Sequence, residues 1–127
     1  HGHVFSADMQ TMGVTVLEGD DAQAPAARVN HGMAAVDEVV YVFAGSTDML
    51  GATTFDSLHG YTVKQRRWTS LSSPGDGRPG LRFLHGMTAA ESKLWVFGGG
   101  TYTNGSVCQP NALQDLHSYD TLSNTWA

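Results

Sequence analysis

Six histidines in 127 residues, two of them in the opening His1–Gly2–His3, are the first side chains whose type and spacing could do chemistry. An N-terminal amine with His1 would chelate copper in a brace, and an amine with His3 would do so through deprotonated amides. Arg28 and Arg82 stand in matching Arg-x-x-His stretches, and a guanidinium fork can grip a carboxylate through two parallel hydrogen bonds. Gly98–Gly99–Gly100 has the composition of a phosphate loop, but no Lys follows it and no helical pattern begins there, and such loops need both. Cys108 is the single cysteine. A nucleophilic thiol needs a neighbouring base, which the sequence does not place, so Cys108 reads as a free thiol or one bonded outside the chain. Lys64–Gln65–Arg66–Arg67 is the basic cluster and reads as a solvated turn. No convergent set of acid, base and nucleophile emerges, so the chain is expected to be non-enzymatic and to carry no cofactor or metal.

What must position these residues is a chain poor in charge and rich in glycine. Charged residues make up 15%, against an average near ~25%, and Gly is 15 of 127, which disfavours a charged helical bundle. The 41% apolar content is too high for intrinsic disorder. The longest apolar run, Val39 to Ala44, is far short of the ~18 residues a membrane helix needs, so a soluble, compact, all-β chain without membrane insertion is expected. Seven basic residues against twelve acids give a net charge of −5, which leaves no basic field for a nucleic-acid backbone. One cysteine excludes an internal disulfide framework and leaves the compartment open.

Self-similarity gives the architecture. Arg28–Val29–Asn30–His31–Gly32–Met33 returns as Arg82–Phe83–Leu84–His85–Gly86–Met87 at an offset of 54, and the match runs on through Ala35/Ala89, Val42/Val96, Phe43/Phe97 and Gly45/Gly99. That is eight identities in eighteen positions, where chance gives about one. Leu58–His59–Gly60–Tyr61 returns as Leu116–His117–Ser118–Tyr119 at offset 58, and Trp68 as Trp126, so a four-residue insertion lies between Gly99 and Leu116. A fainter copy opens the chain, where His3, Phe5 and Met12 keep the spacings of His59, Tyr61 and Trp68. Five of the six histidines thus occupy repeat positions, which calls for a structural explanation before a copper one.

Each repeat reads as four strands: a small-residue segment (33–36, 87–90), an apolar run stopped by Gly (39–43, 93–97), an alternating segment (58–62, 116–120) and a strand opened by Trp (68–71). A period near 56 residues with four strands points to a propeller blade. The landmarks Arg-x-x-His, Leu94–Trp95–Val96–Phe97–Gly98–Gly99, Asp115–Leu116–His117–Ser118–Tyr119–Asp120 and Asn124–Thr125–Trp126 resemble the kelch-repeat β-propellers. The middle copy departs from that pattern with Ala44–Gly45 for the glycine pair and Thr62 after the Tyr. The expected fold is therefore all-β, with four-stranded antiparallel blades of a kelch-type β-propeller as an open arc rather than a closed ring. Residues 1–17 would supply the last two strands of one blade, 26–72 a complete blade, and 80–127 a blade lacking most of its last strand. Trp68, Trp95 and Trp126 are expected in the core by register.

Antiparallel alternation puts the long B–C loops (46–57, 100–114) and D–A loops (18–27, 72–81) on one face, and loops on a rigid scaffold are where binding resides. Arg28 and Arg82, where a D–A loop enters the innermost strand, either pair with an acid or carbonyl of the adjacent blade or grip a partner's carboxylate or acidic peptide; the structural reading is preferred and the two are compatible. Asp48, Arg78, Tyr102 and Asn104, in the same loops, complete the candidate partner-binding set. The resemblance implies a protein-interaction or scaffold module, with further blades or neighbouring subunits covering the open edges. The alternative is the propeller part of an enzyme, either galactose-oxidase-like with copper or a targeting domain fused to a catalytic one.

Overall fold

The computed structural model describes residues 4–7, 14–17, 22–49, 53–71, 77–101 and 111–127. Strands β1 (Val4–Ala7) and β2 (Val14–Leu17) form an antiparallel pair with Phe5 opposite Val16. Strands β3 (Gly32–Val36), β4 (Val39–Ser46), β5 (Thr54–Thr62) and β6 (Arg67–Ser70) follow in sequence order in one antiparallel sheet. The next copy repeats it with β7 (Gly86–Ala90), β8 (Lys93–Phe97), β11 (Leu116–Asp120) and β12 (Thr125–Trp126), while β9 (Gly100–Thr101) and β10 (Asn111–Ala112) pair separately. The structure is all-β, two four-stranded blades packed on one another without closing a ring among the described residues.

Two backbone devices recur and explain the strand boundaries. The turns between the first and second strands hold Asp37 at φ 52° and Glu91 at φ 55°, the left-handed conformation that lets a two-residue turn follow the twist of its strands. After Phe43 the β4–β5 register shifts at a bulge, where Ala44 (φ 56°) and Gly45 (φ 98°) match Gly98 (φ 66°) and Gly99 (φ 93°). A Cβ on Gly45 would lie 2.8 Å from the Val29 carbonyl oxygen, and one on Gly99 2.7 Å from that of Phe83. The glycine pair therefore serves a close approach within one blade, and it lets Val29 bridge to Ser46 and Phe83 to Gly100. Beyond the bulge β4 and β5 run on to Ser46 and from Thr54, and β9 and β10 occupy the corresponding place, so the long B–C loops are in part strand.

The core lies between the sheets. Tyr41, Phe43 and Leu58 from the outer face of the first sheet meet Leu94, Val96 and Tyr119 of the second, with Trp126 packed against them. Phe43 lies 5.1 Å from the Trp126 ring and 5.5 Å from that of His85. On the opposite face of the first sheet Val42, Tyr61 and Trp68 form a second cluster. Trp68 is buried and Trp126 packs on the core as expected, but Trp95 is only half-buried and belongs to neither cluster.

That exception has a simple cause in the repeat. Trp95, Phe97 and Leu116 hold the register positions of Tyr41, Phe43 and Leu58. Phe43 and Leu58 are 0% and 1% exposed under the second sheet, whereas Phe97 and Leu116, with no described sheet beyond them, are 55% and 60% exposed. The outer face of the second sheet is a core half without its other half.

Candidate functional site

The two arginines are built into the same local frame. Arg28 Nε donates to the Ala26 carbonyl (3.1 Å) and Nη1 to the Ala44 carbonyl (3.0 Å); Arg82 repeats this with Gly80 (3.3 Å) and Gly98 (3.0 Å). These carbonyls belong to the arginine's own repeat, so the expected pairing across to the adjacent blade is not what holds them. The left-handed residues Ala44 and Gly98 turn their carbonyls toward the guanidinium, which ties the Arg-x-x-His and glycine landmarks into one device.

The frames then diverge at one position. Arg82, 2% exposed, meets Asp115 in a fork, Nη1 to Oδ1 at 2.9 Å and Nη2 to Oδ2 at 2.8 Å, and Asp115 Oδ2 also faces His117 Nε2 at 2.7 Å. The Arg82 hydrogen bonds hold the Asp115 carboxyl well below the usual carboxylate range, with His117 adding to the effect. At Arg28 the aligned residue is Ser57. Arg28 Nη1 donates to Ser57 Oγ at 3.2 Å, and Ser57 Oγ lies 3.2 Å from His59 Nε2. His59 Nδ1 lies 3.1 Å from the Gln23 carbonyl, an acceptor, which assigns the proton to Nδ1 and leaves Nε2 to accept from the serine hydroxyl. Burial, foremost, and the Arg28 charge push His59 down from the ordinary imidazole value.

Arg28 is therefore a guanidinium only 9% exposed and held by neutral oxygens, with no carboxylate partner among the described residues. Its Nη2, the atom that in Arg82 meets the acid, has no acceptor there. Its carbon lies 4.3 Å from the Phe55 ring centroid, a cation–π contact that braces the group on its other side. Arg28, Ser57, His59 and Phe55 make a carboxylate-shaped place without a carboxylate.

The other expected site residues fare differently. Arg78 is engaged in an ion pair with Asp56, both about one-third exposed, so it is not a free donor. Asp48 sits in the exposed turn after β4, where its carbonyl accepts from Ser46 Oγ at 2.7 Å. Tyr102, Asn104, Cys108, His1 and His3 lie outside the described residues. Lys64 of the basic turn pairs with Glu38 at 2.8 Å, both exposed. Among the described residues no three His, Cys, Asp or Glu side chains converge as a metal site would require. Sequence reading missed Phe55, Ser57, His59, Asp115 and His117 as site residues. The signal was present, since Ser57 aligns with Asp115 at the offset that aligns His59 with His117.

Comparison with known proteins places this geometry in context. The family model for the KLHDC2/KLHL20/DRC7 Kelch-repeats domain matches residues 1–127. The chain is 34% identical over 106 residues to Tip elongation aberrant protein 3 of Schizosaccharomyces pombe, covering 81% of this chain and 9% of that protein. It is 29% identical over 96 residues to Kelch domain-containing protein 10 of Xenopus tropicalis, covering 74% and 21% respectively. It is also 31% identical over 111 residues to N-(sulfonatooxy)prop-2-enimidothioate sulfolyase of Thlaspi arvense, covering 87% and 29%. The chain thus spans less than a third of the length of each of these relatives.

Proposed function

The chain belongs to the kelch-repeat family, and on that premise we propose that it is a non-enzymatic protein-interaction module whose partner inserts a carboxylate beside Arg28. Kelch-repeat proteins are mostly interaction modules. The observation that carries the finer reading is the substitution of Ser57 for the acid that occupies the matching place at Asp115. A buried guanidinium whose Nη2 meets no acceptor and that has no anion among the described residues gains most from an acid brought by another molecule. His59 adds a second recognition element, because it can turn from acceptor to donor when an acid arrives, as His117 faces Asp115 in the other repeat. Arg82, already paired within the fold, is structural. The partner surface extends over the loops that hold Asp48, Tyr102 and Asn104, and a further repeat or neighbouring subunit covers Trp95, Phe97 and Leu116.

The test is fluorescence polarisation with a labelled hexaglutamate peptide and its hexaglutamine counterpart on the intact protein. The net charge of −5 disfavours diffuse attraction of the acidic peptide, so preference for it reports a local grip. Hexaglutamate is expected to bind, and Arg28→Gln to weaken it about tenfold or more, the worth of a charge-assisted hydrogen bond. Equal binding of the two peptides refutes the reading. An enzyme reading draws on the sulfolyase relative alone; turnover of a sulfated thiohydroximate by the intact protein would replace the interaction module with it.

A further inference from the structure

The seam between the two sheets is closed by one histidine that is buried without a hydrogen bond. His85 is 8% exposed, and neither Nδ1 nor Nε2 has a partner. The ring lies edge-on to Phe43 of the preceding sheet and fills the space over Gly32, where a Cβ would come within 2.4 Å of Nε2. Two backbone bonds run across the seam on either side of it, from Gly45 N to the Arg82 carbonyl and from Leu84 N to the Asn30 carbonyl, both 2.9 Å.

The same contact is unmade at both ends of the repeat. His31 holds the register position of His85 and is exposed. Gly86 and Phe97 hold the positions of Gly32 and Phe43, but a Cβ on the glycine would meet only the Phe97 carbonyl oxygen, at 3.8 Å, with no imidazole over it, and the Phe97 ring is 55% exposed. The imidazole is thus a key in a lock made by the preceding sheet, and only the His85 key is seated among the described residues.

We propose that His85 is an acid-sensitive latch: protonation of its seated ring opens the seam between the sheets and so disturbs the Arg28 site that abuts it. The surroundings oppose an imidazolium more than they support it. Gly32 and Phe43 of the preceding sheet, Met87 on β7 and Gly99 beyond β8 contribute no ionisable group against the ring. The charges that face it are Arg82, on its own segment, and His31, and both oppose a second positive charge. Asp115, the acid paired with Arg82, is already shared between Arg82 and His117. The Phe43 carbonyl favours the charged form but makes no hydrogen bond to the ring. Burial leads the effects that lower the His85 pKa, to about 4, so the key is neutral at neutral pH and is ejected rather than charged in place as acid rises. Arg82 bonds across the seam through its carbonyl to Gly45 and through its amide to the Phe55 carbonyl, and Phe55 carries Arg28 on its ring, which couples the latch to the site.

The experiment is hydrogen exchange on the intact protein at pH 7 and pH 4.5, corrected for intrinsic rates, comparing peptides that contain Gly45 and Leu84 with peptides internal to the β4–β5 pairing. Seam protection is expected to fall about tenfold or more while sheet protection holds, and His85→Gln, neutral at both pH values, to remove the difference. His31→Gln, which removes only the lesser of the two opposing charges, should leave most of the pH response in place. If His85→Gln fails to fold, the His85 ring protons followed by NMR decide the matter: titration near ~6.5, the free imidazole value, overturns the latch, and titration well below it with concurrent loss of seam protection supports it. Seam protection that ignores pH, or a response that persists in His85→Gln, also overturns it.

Discussion

Replacing Ser57 by Asp should convert the Arg28 site into a copy of Arg82–Asp115–His117 and close it to partners. The register is identical, since Ser57 and Asp115 each stand two residues before the histidine whose Nε2 faces them. A charge-assisted hydrogen bond is worth about 1.5–3 kcal/mol, and solvent access lowers that figure. Asp115 is 42% exposed in the pair that serves as the template, so a net gain of about 1 kcal/mol is expected. In a chain of this size that raises the melting temperature by about 3–6 °C. Hexaglutamate binding should fall about tenfold or more, because the introduced carboxylate occupies the donors the peptide needs.

The reciprocal change sharpens the test. Asp115→Ser strips the counter-charge from Arg82, which is 2% exposed, and should cost about 2–4 kcal/mol. The double variant, with acid and serine exchanged, should have a stability near the sum of the two effects and should move peptide sensitivity from Arg28→Gln to Arg82→Gln. Denaturant midpoints and fluorescence polarisation read both quantities. If Ser57→Asp leaves stability and peptide binding unchanged, the reasoning that the serine vacates an anion place is refuted.

Phe43→Ala should cost about 3–5 kcal/mol, the price of emptying a closed aromatic site, whereas Phe97→Ala, at 55% exposure, should cost under about 1 kcal/mol unless a further sheet covers it. Comparing the chain alone with any longer protein that carries it, by urea denaturation, shows whether the Phe97 cost rises toward that of Phe43. Gly32→Ala pushes a methyl into the His85 ring and should destabilise by about 1–3 kcal/mol, an effect that His85→Ala in the same chain should largely relieve. With His85 near 4 folded and 6.5 unfolded, its contribution is complete above about pH 6.5 and is lost as pH falls through 4. The full loss is worth up to about 3 kcal/mol, and a stability curve that stays flat between pH 7 and pH 4 in wild type contradicts it.

The repeat made the strands, their order and the aromatic core legible, because a period that carries Arg, His, Gly, Tyr and Trp at fixed spacings leaves few architectures in which all of them are satisfied. What escaped was partner identity. From sequence, Arg28 and Arg82 look equivalent, and their carbonyl acceptors arise from left-handed residues at 44 and 98 that a reading of side-chain types does not reveal. Arg78 looked like a free cation because Asp56, twenty-two residues away, meets it only once β5 is extended by the bulge. Trp95 looked like core because register fixes which face a residue takes, while coverage of that face depends on what packs against it.

The site follows from a break in the repeat rather than from the repeat itself. The Arg frame, the bulge carbonyl, the histidine two residues beyond the acceptor and the carbonyl behind that histidine recur at both positions, so each is accounted for by folding. Ser57 is not, because an acid there would satisfy Arg28 as Asp115 satisfies Arg82. A position that gives up an available ion pair beside a buried cation, while every supporting contact is kept, leaves the frame intact and its charge unanswered among the described residues. On the proposed reading, a partner's acid would restore the arrangement that the fold itself adopts one repeat later, and Asp115 shows the geometry such an acid would have to match.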